Sequence, residues 1–174
     1  DPTEGALIVA AMKAGLKKDV LLRNFEVVEE FPFDSARKMM SVVVKDKAGK
    51  RFVVTKGAPD VLLGVSKSIL WNERQEDLSR DFETKVKNAI ESLASQALRT
   101  IAIAFKPLQE SEKVNTSFEA EKELVFIGLQ GMIDPPRPEV KQAVKECRDA
   151  GIKTVMITGD HIITAEAIAK QLNI

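Results

Sequence analysis

Apolar positions change period several times along the chain, and each change marks an element. Leu7, Ala10, Ala11 and Ala14 recur at helical spacing, predicting a helix over residues 2–14. Asp1 suits its cap, Pro2 its first position, Glu4 the place of a capping-box carboxylate and Gly15 its stop. From residue 25 to 54 the period falls to two. Runs rich in β-branched residues, 40–44 and 51–55, flank the polar stretch 46–50, the pattern of a β-hairpin. Pro59, following Lys56-Gly57-Ala58, opens a short helix. Residues 66–81 read as a polar loop, 82–97 as a helix, 100–105 as a strand, 110–123 as a charged connection and 124–130 as another strand.

Beyond Met132 the character shifts. Asp134-Pro135-Pro136-Arg137-Pro138 is stiff, because each proline fixes its own φ and restricts the residue before it. A helix over 139–150 stopped by Gly151, a buried-type strand over 152–157, a Thr158-Gly159-Asp160 turn and a helix over 164–172 follow. Strand and helix alternating through short links mark a parallel α/β piece. The expected fold class is therefore α+β: an antiparallel sheet with flanking helices over 1–132, then a partial parallel α/β domain over 133–174.

Composition narrows the picture. The 174 residues hold 26 basic and 26 acidic side chains, and 44% of positions are hydrophobic. That is an ordinary globular balance, and formal neutrality argues against nucleic-acid binding through bulk positive charge. One cysteine, Cys147, excludes an internal disulfide framework, and one histidine, His161, excludes the usual His/Cys zinc sites. No run approaches the roughly 18 apolar residues of a membrane span. The chain opens on Asp1 rather than methionine, which predicts that it was cut from something longer.

Several residues carry candidate chemistry, each with a plainer alternative. Thr158-Gly159-Asp160 at the carboxyl end of a parallel strand offers a hydroxyl and free amides to an anion, or simply caps a helix. Strand alternation puts Phe31 and Phe33 on one face and Pro32 and Asp34 on the other. An aromatic ring near Arg37 and Lys38 suits a purine with attached phosphates, or else both rings are core and both cations solvated. Lys56-Gly57 at a strand end is either a ligand lysine beside flexible backbone or a surface lysine before a turn. Arg99 at a strand start is a phosphate contact or a rim charge. Glu4, on spacing alone, is a capping residue. No Ser/His/Asp order, GxGxxG or GxxxxGK[ST] pattern is present.

Taken in order, Asp1 to Leu7, Phe31-Pro32-Phe33 through Ser41, Lys56 to Pro59, Leu98-Arg99, Asp134 to Arg137 and Met156 to Asp160 resemble the cytoplasmic part of P-type cation-transporting ATPases. Among these the chain looks most like type II pumps of the calcium kind. The resemblance implies that 1–132 is most of a nucleotide-binding domain. Phe33 matches the aromatic that stacks on adenine, Glu4 the carboxylate near the base, Lys56-Gly57 the lysine segment lining the pocket, Lys38 a second basic wall, and Arg99 a phosphate-reaching arginine. It further implies that 133–174 is part of a phosphorylation domain of haloacid dehalogenase-like fold. There Asp134 and Arg137 match a hinge-proximal motif, and Thr158, Gly159 and Asp160 a phosphate-binding motif.

The family's Asp-Lys-Thr-Gly-Thr and Thr-Gly-Asp-Gly-x-Asn-Asp motifs do not occur in this sequence. The expectation is thus a chain that binds ATP, with Mg2+ acting in the parent enzyme, but forms no phosphoenzyme. Expected partners are the actuator, membrane and remaining phosphorylation domains of a parent membrane protein. The 152–157 strand, lacking neighbours, predicts disorder or self-association. A pump for sodium/potassium or protons, a free-standing dehalogenase-like phosphatase and a non-catalytic interaction domain are the alternatives.

Overall fold

The computed structural model describes residues 2–133, 136–159 and 162–174. Two compact units emerge: Asp1–Lys87 with Ile101–Gln130, and Asn88–Thr100 with Gly131–Ile174.

In the first unit, helix α1 (Pro2–Lys13) is followed by Gly15 at φ +77°, the left-handed conformation that ends helices. A short α2 (Lys18–Leu22) leads into strand β1 (Phe25–Asp34). Strands β2 (Met39–Asp46) and β3 (Arg51–Gly57) form the expected hairpin, paired from Met39↔Gly57 to Lys45↔Arg51. Helix α3 (Pro59–Val65) begins on its proline.

Residues 66–81 are not the loop that their polarity implies. Strands β4 (Ser66–Trp71) and β5 (Arg74–Asp77) make a second hairpin. Its two turn residues, Asn72 and Glu73, have φ of 48° and 64°, the type I′ geometry that matches strand twist. The favoured Asn-Gly signal is missing, so the turn is hidden in the sequence. Trp71 closes the hairpin against Phe82 of α4 (Arg80–Ser95), ring centroids 5.5 Å apart.

Strands β6 (Arg99–Leu108) and β7 (Leu124–Met132) complete a seven-stranded sheet of order β1-β2-β3-β6-β7-β4-β5. The sheet is mixed, not antiparallel: β4 runs parallel to β7, with Ile69 opposite Phe126. A parallel partner needs a long crossover, and β5, α4, β6 and the short α5 (Ser117–Ala120) supply it.

Burial alternates cleanly through β2, β3 and β6. Met39, Ser41, Val43, Val53, Thr55, Ala102 and Ala104 are buried on one face. There Val43 and Val53 pack with Ala120 of α5 and with Phe31.

The second unit contains α6 (Pro138–Asp149) and α7 (Ile162–Leu172). Gly151, at φ +74°, ends α6 as expected. The expected strand over 152–157 does not form: these residues have no regular structure, and Ile152, Val155 and Ile157 are 60%, 69% and 94% exposed. A β-branched run becomes a strand only when neighbouring strands take its backbone hydrogen bonds, and none pairs with it among the described residues.

Candidate functional site

The sheet face opposite the buried layer carries a cleft of about 500 Å³, a size usual for small-molecule sites. Leu7, Ala10 and Ala11 of α1 form one wall, and Met40, Val42, Val54, Lys56 and Ile103 supply the sheet side. The wall residues sit at i, i+3 and i+4, and two of them are alanines, so the helix presents little bulk. Among these apolar groups stands one charged side chain. Lys56 Nζ pairs with the Glu4 carboxylate on α1, with side chains 21% and 51% exposed. Glu4 therefore does more than fit a capping position. So accessible a pair is worth only about 0–1 kcal/mol, and an anionic ligand can compete for the lysine.

Phe33 departs from the alternation expected of it. Phe31 pairs with Ser41 and Asp34 with Met39, so three steps along β1 match two along β2. The extra residue is a β-bulge, which shifts the alternation. Phe31 stays packed on the buried face, whereas Phe33, inside the irregular stretch, is 63% exposed. Both rings being core is excluded.

After the bulge the chain makes a tight turn. Asp34 Oδ1 accepts from the Ala36 and Arg37 amides at 2.8 and 3.1 Å, and the Lys38 amide donates to the Asp34 carbonyl at 2.7 Å. Lys38 is exposed at φ 53°, and its carbonyl accepts from the Ala58 amide at 2.9 Å. Gly57 is required here by proximity rather than by φ. A Cβ on it would lie 2.5 Å from Met39 Cβ and 2.7 Å from the Lys38 carbonyl oxygen. The glycine thus lets two strand ends approach and sets Lys38 against the Lys56 segment.

The amide hydrogen bonds from Arg37 and then Ala36 hold the Asp34 carboxyl below its ordinary value of 3.8. A lowered folded-state value means that the turn is fully supported above the ordinary carboxylate range. That support is lost as pH falls through the folded value. Carboxyl-carbon NMR should give Asp34 a midpoint below 3.8; a midpoint at or above that figure would contradict the turn geometry.

The remaining candidates lie elsewhere. Arg99 is exposed at the start of β6. Arg137 is the exposed N-cap residue of α6 and makes no side-chain capping bond. Thr158 and Gly159 are exposed in the irregular segment before α7. Asp134, Asp160, His161 and the capping residue Asp1 lie outside the described residues.

Sequence reasoning missed one charged cluster. On the buried face the Glu121 carboxylate, 5% exposed, pairs with Arg37 and accepts from Ser41 Oγ at 3.0 Å. Ser41 Oγ and Thr55 Oγ1 share a further bond of 2.9 Å. The partners lie 84 residues apart in sequence, so no local pattern reveals them. A Thr116–Glu119 capping box, which fixes the helix turn before Glu121, was visible as T-x-x-E.

Comparison with known proteins bears on the same segments. A family model described as "P-type ATPase, cytoplasmic domain N" matches residues 1–139. Over 174 residues the chain is 54% identical to a calcium-transporting ATPase of Bacillus subtilis (strain 168), covering all of this chain and 19% of that protein. It is 47% identical over 176 residues to calcium-transporting ATPase 1 of Bacillus cereus, with the same shares covered. To the cation-transporting ATPase pma1 of Synechocystis it is 41% identical over 174 residues, again covering all of this chain and 19% of the relative. The chain thus spans about a fifth of the length of these relatives. The α1–β3 cleft and the Phe33–Lys38 turn lie within the stretch matched to cytoplasmic domain N, and the chain belongs to the P-type ATPase family.

Proposed function

We propose that this chain is the ATP-binding portion of a P-type cation pump whose parent transports calcium and passes through an aspartyl-phosphate. The observation that carries this reading is the largely apolar cleft in which, among the described residues, Lys56 is paired with the exposed Glu4 carboxylate, with the Phe33 ring 63% exposed near the end of β1. An adenine would stack on Phe33, Glu4 would meet the base edge, and Lys56 and Lys38 would attract the phosphates. Gly57 keeps the two lysine segments together, and Arg99 would reach the phosphate chain.

P-type ATPases use ATP with Mg2+. Among the described residues no group of three or more metal-ligating side chains converges. Glu4, the carboxylate at the cleft, is already paired, so the ion would arrive on the nucleotide phosphates. The acceptor motif Asp-Lys-Thr-Gly-Thr is not in this sequence, so nucleotide binding without phosphoenzyme formation is the expected behaviour.

Residues 133–174 belong, on this reading, to the phosphorylation domain, with Asp134, Arg137, Thr158, Gly159 and Asp160 serving its hinge and phosphate sites. The uncovered Ile152, Val155 and Ile157 suit completion by the parent's other segments, or pairing between copies when those are absent. The calcium assignment follows the names of the Bacillus relatives; the Synechocystis protein, called only cation-transporting, keeps another cation as the second reading.

Phe33→Ala tests the site. Loss of a base–aromatic stack costs about 1–3 kcal/mol, so ATP affinity should fall by about fivefold to 150-fold by calorimetry. Because the ring is exposed, the melting temperature should hold. Unchanged affinity would remove Phe33 from the site.

A further inference from the structure

We infer that Arg37 and Glu121 form a positioning pair that holds the bulge and turn carrying Phe33 and Lys38 in their binding geometry. The inference rests on the cleft being the nucleotide site, and it adds residues on the opposite face of the sheet.

Arg37 spans two anchors. One guanidinium nitrogen, Nη2, donates to the Pro32 carbonyl at 2.7 Å, just before Phe33. The other, Nη1, meets the Glu121 carboxylate. The fork therefore closes the bulge from its far side, because a planar guanidinium fixes the angle between its two partners. Glu121 is itself held. It follows α5, whose first turn is fixed by the capping box, and the same carboxylate oxygen accepts from Ser41 Oγ, which is bonded in turn to Thr55 Oγ1. Ser41 and Thr55 are 1% and 0% exposed on β2 and β3. The chain of contacts runs from the sheet interior, through one buried carboxylate, to the carbonyl beside the ring.

Core stability alone does not call for this arrangement. A buried ion pair can often be exchanged for apolar groups of similar volume at no loss of stability. The pair provides direction instead: it fixes a bulge and a left-handed Lys38, which local preference does not favour. Phe33 lies one residue beyond the clamped carbonyl, and Lys38 one residue beyond Arg37 itself.

The test compares the intact chain with Glu121→Gln and with the double variant Arg37→Met plus Glu121→Leu, which removes the tether without stranding a charge. The expected result is a double variant that melts as one cooperative species while the amides of Ala36, Arg37 and Lys38 exchange at least tenfold faster. Val53 and Ala102 amides should keep their protection. ATP should bind about tenfold more weakly, and Glu121→Gln should fall between the two proteins. Unchanged exchange at 36–38 would overturn the proposal, as would ATP affinity within twofold of the parent. Equal loss of protection at Val53 would also overturn it, by making the pair purely structural. If the unaltered chain binds no ATP, the nucleotide reading fails, while the exchange data still decide whether the pair sets the turn.

Discussion

Gly57→Ala should lower stability by about 1–3 kcal/mol, the usual range for overpacking, and should weaken nucleotide binding with it. The added methyl would meet Met39 Cα at 2.9 Å as well as Met39 Cβ and the Lys38 carbonyl oxygen. Two of these three neighbours are backbone atoms, so no rotamer change relieves the contact. Gly57 is also fixed from both sides, opposite Met39 in β2 and Ala102 in β6. The strain must then appear as separation of the Lys38–Met39 segment from Gly57–Ala58, breaking the hydrogen bond from the Ala58 amide. Urea unfolding and an ATP titration would register both losses. Gly64→Ala in α3 is the matched control. A Cβ there meets nothing within 4 Å, and alanine favours a helix by up to about 1 kcal/mol, so stability should hold or rise. A Gly57→Ala protein as stable as the parent would show that the strand ends are not held so close.

Phe126→Ala should be the most damaging single truncation, at about 3–5 kcal/mol. Phe126 is 1% exposed and lies opposite Ile69 where the parallel strand joins the sheet. Removing the ring leaves a cavity against a sheet whose strands are fixed by backbone pairing, so little collapse can offset the loss. Phe118→Ala provides the contrast. That ring is 78% exposed, and its loss should change stability by no more than about 0.5 kcal/mol. Denaturant unfolding followed by circular dichroism would order the two. Comparable effects would mean that Phe126 is not in the core.

What could be read from the sequence depended on how local each cause was. The β2–β3 hairpin, α1 and α3 were legible because alternation, Pro2, Gly15 and Pro59 act within a few residues. The β4–β5 hairpin was hidden because Asn72-Glu73 adopts a type I′ turn without the glycine that usually marks it. The strand expected over 152–157 failed for the reverse reason. Its β-branched composition was readable, but the neighbours that would make it a strand are not supplied by composition.

The site divides in the same way. Glu4, Phe33, Lys38, Lys56 and Gly57 were all nominated, yet Phe33 sits where one extra residue breaks the register of β1, and a period-two reading cannot see a bulge. The Glu4–Lys56 contact joins residues 52 apart. Glu121 sat unnoticed in a charged connection, because only the folded sheet brings it beneath Ser41 and beside Arg37.

The central claim is that the cleft between α1 and the β2–β3 hairpin takes a purine nucleotide. Amide chemical-shift mapping of the intact chain during addition of ATP addresses it most directly. Saturable shifts should concentrate at Glu4, Leu7, Phe33, Lys38, Lys56 and Gly57. Shifts confined to α6 and α7, or none at millimolar nucleotide, would contradict it.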